Sequence, residues 1–128
     1  MVLIAAETKM VLIVEDDPDI REALSQILEF EGYDVASVNN GQEALTYLRS
    51  SRRPGLILLD LMMPVMDGWQ FRSQQQQDKQ LSEIPVVIVS ADGRVFQKAH
   101  EINAAGFLRK PVELEVLLNT VQRYFKSA

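Results

Sequence analysis

A chain of 128 residues, 47% hydrophobic and 24% charged, is the size of one domain that buries a core of its own. With no cysteine and a single histidine, His100, it excludes disulfide frameworks, thiolate or multi-histidine metal sites and thiol nucleophiles. Its 18 acidic against 13 basic side chains, a net charge of -5, argue against a nucleic-acid surface or anchoring to anionic lipid, both of which need a basic patch.

Residues Met1 to Ala6 are apolar, but the run is short, no basic residue precedes it and Glu7 follows at once. No other run approaches the roughly 18 residues of a membrane helix, so a soluble cytoplasmic protein is expected. The tetrapeptide Met-Val-Leu-Ile stands at Met1 and again at Met10. Since the second copy reads as a strand, residues 1–9 are expected to be an N-terminal extension to a domain over 10–126.

Five segments rich in Val, Ile and Leu begin near Met10, Tyr33, Gly55, Ile84 and Ala105, spaced roughly 25 residues apart, about what a strand, a helix and two short loops occupy. Met10 to Val14, Gly55 to Leu59 and Ile84 to Val89 are continuously apolar, which predicts strands covered on both faces. Between the first two segments, Ile20, Ala23, Leu24, Ile27 and Leu28 repeat at helical spacing behind a capping Asp17 and Pro18. The next interval offers Asn40 as cap, Glu43 three residues on, and Ala44, Leu45 and Leu48 facing inward. After Trp69 and Phe71 the third interval runs Arg72 to Gln80 without an apolar stripe, predicting a helix poorly anchored at its C-terminal half with a solvated polar face. Val95, Phe96, Ala99 and Ile102 mark the fourth helix; Leu114, Leu117, Leu118, Val121 and Phe125 mark the fifth. The class is α/β: a parallel sheet between two layers of helices, with no internal domain boundary.

In such sheets, ligands bind at the carboxyl ends of the strands. The first run is followed by Glu15 and Asp16, the third ends at Asp60, the fourth is followed by Ser90 and the fifth leads to Lys110. Three crowded carboxylates repel unless a cation neutralises them. Magnesium suits them, because it takes a few carboxylates, keeps several waters and accepts a phosphoryl oxygen. Lys110 adds a fixed positive charge, and Asp60 is a candidate carboxylate nucleophile forming an acyl phosphate.

The segments Val11 to Asp17, Leu58 to Gly68, Val89-Ser90-Ala91 and Lys110-Pro111 resemble the signature segments of response-regulator receiver domains, the phosphoacceptor half of two-component signalling. The resemblance covers about residues 9 to 126 and implies a (βα)5 flavodoxin-like three-layer sandwich with a five-stranded parallel sheet of order 2-1-3-4-5. It implies Asp60 as phosphoacceptor, with Glu15, Asp16, Asp60 and the main-chain carbonyl of Met62 as magnesium ligands and manganese as a substitute ion. It further implies Ser90 and Lys110 as partners of the phosphoryl oxygens, Phe107 as an aromatic switch acting with Ser90, Met62 and Asp92 as positions that tune acyl-phosphate hydrolysis, and a cis bond before Pro111. Three features depart from the pattern. Glu15 stands where aspartate is commoner and can meet magnesium through water; Phe107 replaces a frequent tyrosine; and the third helix lacks its apolar positions.

The implied function is a magnesium-dependent switch, not a turnover enzyme on external substrates. A sensor histidine kinase or phosphotransfer protein would phosphorylate Asp60, and a downstream protein would read the face of helix 4, strand 5 and helix 5. Phosphorylation-dependent homodimerisation is compatible with this, whereas direct nucleic-acid or membrane contact is not expected. A phosphatase with an aspartyl intermediate usually carries a second aspartate two residues after its nucleophile, where this chain has Met62. A flavodoxin needs a hydroxyl- and glycine-rich phosphate loop, and Glu15-Asp16-Asp17-Pro18 would repel the flavin phosphate. His100 reads as an ordinary solvent-facing histidine, and Trp69 as a reporter of the nearby loop.

Overall fold

The computed structural model of the protein describes residues 9–50, 52–63 and 65–125. The expected extension over residues 1–9 lies, apart from Lys9, outside the described residues. Five strands alternate with five helices: β1 (Met10–Val14), α1 (Pro18–Phe30), β2 (Asp34–Val38), α2 (Gly41–Ser50), β3 (Leu56–Asp60), α3 (Gly68–Gln77), β4 (Val86–Ser90), α4 (Val95–Glu101), β5 (Gly106–Arg109) and α5 (Leu114–Gln122). The strands form one parallel sheet of order β2-β1-β3-β4-β5, as the resemblance implied.

Every residue of β1, β3 and β4 is buried, because these central strands are sandwiched by helices, while the edge strand β2 has only exposed and half-buried positions. Side chains of period two then divide the core. Val11, Ile13, Leu56, Leu58, Val87 and Val89 pack with Leu24 and Leu28 of α1 and Leu117 and Val121 of α5. Leu12, Val14, Ile57, Leu59 and Val86 point the other way, onto Ala44, Leu45 and Leu48 of α2 and Phe71 of α3. A smaller cluster of Leu61, Ile88, Val95 and Ala99 seats α4, with Trp69 packed against it.

Helix starts follow the expected chemistry. The Asp17 carboxylate accepts from the amides of Asp19 at 2.9 Å and Ile20 at 3.3 Å. Asn40 accepts from the Glu43 amide at 2.9 Å, and Glu43 in return accepts from the Asn39 amide at 2.9 Å.

Three helical expectations need correction. The polar stretch of α3 is anchored through polar atoms: Arg72 and Gln75 are both buried. The Arg72 guanidinium donates to the carbonyls of Ile102 at 2.9 Å and Asn103 at 2.7 Å and to Gln75 Oε1 at 2.8 Å. Gln75 Nε2 donates to the carbonyls of Leu81 at 2.9 Å and Ile84 at 3.0 Å. This network ties α3 to the end of α4 and to the turn before β4, so burial is satisfied by hydrogen bonds where hydropathy shows nothing. Phe96 is 65% exposed, because Val95 faces inward and consecutive helical residues lie about 100° apart. Leu114, first residue of α5, is likewise 53% exposed.

Candidate functional site

The register of the sheet brings the chemistry together. Val14 lies beside Leu59, Asp60 beside Val89, and Ser90 beside Arg109, so the residues that end or follow β1, β3, β4 and β5 open onto one edge. Glu15 extends the run of β1, held by its amide donating to the Val38 carbonyl at 3.1 Å and by Arg21 donating to its own carbonyl at 2.8 Å. At the opposite side of the edge, the Lys110 amide donates to the Ser90 carbonyl at 2.9 Å, and the Lys110-Pro111 bond is cis as implied.

Carboxylate oxygens of Glu15, Asp16 and Asp60 lie within 4.8 Å of one another. Glu15 and Asp60 are buried and Asp16 is exposed, so the cluster has a dry floor and an open mouth. Lys110 Nζ donates to Glu15 Oε1 at 2.6 Å and stands 3.7 Å from Asp60 Oδ2. The resemblance implies a phosphoryl partner for Lys110; among the described residues its nearest acidic partner is Glu15. Asp60 Oδ1 accepts from the Met62 amide at 3.2 Å, while the Met62 side chain itself faces solvent.

Burial, and then the neighbouring Asp60 carboxylate, raise the Glu15 pKa against the pull of Lys110. Burial works to lower the Lys110 pKa, but its hydrogen bond to Glu15 and the charges of Asp60, Glu15 and Asp16 outweigh it and raise the pKa. The native state thus holds a proton at Glu15 more tightly than the unfolded chain does. Metal-free protein is therefore expected to gain stability as the pH falls from neutral through the raised Glu15 pKa towards the ordinary glutamate range. Chemical denaturation across that range checks the sign.

A metal fits this donor set. Glu15 Oε2 is buried and lacks a hydrogen-bond partner among the described residues, beside two further carboxylates that supply hard oxygens.

The remaining expected residues sit around this centre. Ser90 is buried and its Oγ accepts from the Asp92 amide at 3.1 Å. The Phe107 ring is 39% exposed and meets Phe96 edge-on, with centroids 5.5 Å apart. His100 is exposed, as read from sequence. Asp92 faces α4, where Lys98 Nζ donates to it at 2.5 Å. Sequence reasoning passed over Lys98, since an acid and a base six residues apart across a loop and a helix start carry no periodic signal.

Gly68 fixes the distance between α3 and the end of β3. A Cβ at this position would lie 2.7 Å from both the Asp60 carbonyl oxygen and Leu61 Cα. Gly68→Ala is expected to destabilise by about 1–3 kcal/mol, because main chain and not a flexible side chain must give way. A thermal midpoint unchanged from wild type would contradict this packing.

The sequence matches the response regulator receiver domain over residues 11–122. The chain belongs to this family. It is similar to the Pseudomonas aeruginosa protein PilH, 34% identical over 113 residues that span 87% of this chain and 93% of PilH. It is also similar to RpaA of Synechocystis, a DNA-binding dual master transcriptional regulator, 34% identical over 114 residues and 88% of this chain. The receiver match spans about half the length of RpaA, 47%. Among solved structures, the chemotaxis response regulator CheY4 of Vibrio cholerae superposes with a TM-score of 0.83 at 32% identity, covering 91% of this chain and 98% of CheY4. The chain is therefore the receiver domain of a two-component response regulator, and its fold is that of the family. Among the described residues no helix is long and apolar enough to cross a membrane.

Proposed function

We propose that the receiver acts as a phosphorylation switch in which Asp60 accepts a phosphoryl group from the phosphohistidine of a sensor kinase or phosphotransfer protein. The observation that carries this reading is one buried carboxylate, Asp60, set 3.7 Å from an ammonium and within reach of two further carboxylates at the open edge of the sheet. In the transfer, an Asp60 oxygen bonds to phosphorus, the phosphorus–nitrogen bond breaks, and its electron pair stays on the imidazole of the donor. Lys110 is placed to pair with a phosphoryl oxygen by leaving Glu15, and the Ser90 hydroxyl can turn to another by leaving the Asp92 amide. Glu15, Asp16 and Asp60 would hold magnesium, or manganese in its place, with the Met62 carbonyl as a further ligand. When bound, the ion supplies charge neutralisation at the phosphoryl oxygens.

Movement of Ser90 and of the Phe107 ring would reshape the surface of α4, β5 and α5, where Phe96, Phe107, Leu114 and Val116 are exposed. A downstream protein that binds one arrangement better than the other converts the modification into output, and a second copy of the chain is one such partner. On this reading the domain turns over no external substrate, works in the cytoplasm where the kinase presents its phosphohistidine, and makes no direct nucleic-acid contact, in keeping with its net charge of -5.

Two measurements test the reading. A small phosphodonor with magnesium should label wild type with one acid-labile phosphoryl group, and Asp60→Asn should take none; labelling that survives the substitution sinks the assignment. Magnesium should also stabilise the folded protein, by about 2.7 kcal/mol at a concentration a hundred times its Kd. Because a proton on Glu15 competes with the ion, that gain should shrink as the pH falls towards the raised Glu15 pKa, and a pH-independent gain would place the ion elsewhere.

A further inference from the structure

The connection from β1 to α1 carries two of the three clustered carboxylates, and a cation that the reaction above does not use holds its main chain. Arg21 of α1 is half-buried, and its Nη1 donates to the Glu15 carbonyl at 2.8 Å. From the other side, the Glu15 amide donates to the Val38 carbonyl at 3.1 Å, so both polar groups of the Glu15 main chain are engaged. Two residues on, the Asp17 carboxylate accepts from the Asp19 and Ile20 amides at 2.9 and 3.3 Å and fixes the start of α1. The Arg21 amide donates in turn to the Asp17 carbonyl at 2.9 Å, which seats the arginine in that same rigid turn. The stretch Glu15-Asp16-Asp17 is thus pinned at both ends by α1. Asp16 between them is exposed, so the main chain and not side-chain packing sets where its carboxylate lies.

We propose that Arg21 is a positioning residue for the metal-binding loop: by holding the Glu15 carbonyl it sets where Glu15 and Asp16 present their carboxylates to magnesium. The inference rests on the reading that these two residues, with Asp60, hold the ion. Magnesium demands near-ideal octahedral geometry and tolerates little drift in its ligands. Groups that orient metal ligands without touching the metal are worth about 10- to 100-fold in affinity. Charge and position act in opposite directions at Arg21. A guanidinium beside the site repels a dication, so charge alone predicts tighter magnesium binding when Arg21 is removed. Loss of the bond to the Glu15 carbonyl predicts weaker binding.

The test titrates the metal-free, isotope-labelled full chain with magnesium chloride and follows the amide resonances of Asp16 and Asp60, in wild type, Arg21→Met, Arg21→Lys and Arg72→Met. Arg21→Met should weaken magnesium binding about tenfold. Arg21→Lys, whose ammonium can still donate to one carbonyl, should stay within about threefold of wild type. Arg72→Met loses stability far from the site and should bind within about twofold of wild type, which separates a displaced loop from a looser fold. If Arg21→Met does not fold, Arg21→Gln, whose amide is two atoms shorter than the guanidinium, takes its place with the same expected loss. An Arg21→Met affinity equal to or tighter than wild type overturns the proposal while the metal site stands. An equal loss in Arg72→Met, or an Arg21→Lys as weak as Arg21→Met, overturns it too. Wild type that binds no magnesium overturns the metal reading first, and this inference with it.

Discussion

Lys110→Met is expected to destabilise the metal-free receiver by about 3 kcal/mol at neutral pH, although it removes a single surface-edge cation. Among the described residues, Lys110 is the only ammonium bonded to Glu15, and the Glu15 side chain is 3% exposed. Without that partner, the carboxylate either stays charged in a dry setting, next to Asp60, or takes up a proton. The second course becomes easier as the pH falls, since burial already raises the Glu15 pKa. The loss should therefore be largest at neutral pH and shrink in mildly acidic buffer. Urea midpoints of wild type and variant at both conditions check this. A loss of equal size at both would mean that Lys110 stabilises through packing of its methylene stem instead.

The second large effect lies far from the site. Arg72→Met is expected to cost about 2–4 kcal/mol, because it leaves the Ile102 and Asn103 carbonyls and Gln75 Oε1 without their donor. Methionine replaces much of the volume, so the loss is chiefly that of hydrogen bonds. Arg72→Lys should recover only part of the stability, since one ammonium cannot reproduce a planar fork that serves three acceptors in fixed directions. Denaturant midpoints rank the three proteins. A lysine variant as stable as wild type would show that charge alone, and not the shape of the guanidinium, holds α3 to the end of α4.

These two residues mark where sequence reasoning reached and where it stopped. Lys110, Asp60, Glu15, Asp16 and Ser90 were legible because each ends or follows a segment whose apolar run fixes a strand, and parallel strands place their carboxyl ends on one edge. The central strands were legible for the same reason: continuous Val, Ile and Leu have no other use in a chain this size. Arg72 and Gln75 were not, because hydropathy scores them as solvent-facing and their burial is compensated by carbonyls 6 to 31 residues away. Phe96 misled in the opposite sense. It carries the apolar signal of a core residue, yet spends it on an edge-to-face contact with Phe107 at the surface. That contact also bears on the switch: Phe107 has no hydroxyl, so its half-exposed position is held by an aromatic neighbour and not by a hydrogen bond.

The central claim, that Asp60 carries the phosphoryl group, is tested most directly by trapping the modified residue. Borohydride reduces an aspartyl phosphate to homoserine, which survives digestion and peptide mass analysis. After treatment with a small phosphodonor and magnesium, homoserine should be found at position 60 and nowhere else in the chain. Homoserine at Asp16, phosphate on His100, or an unmodified Asp60 in a protein that has bound phosphate would contradict it.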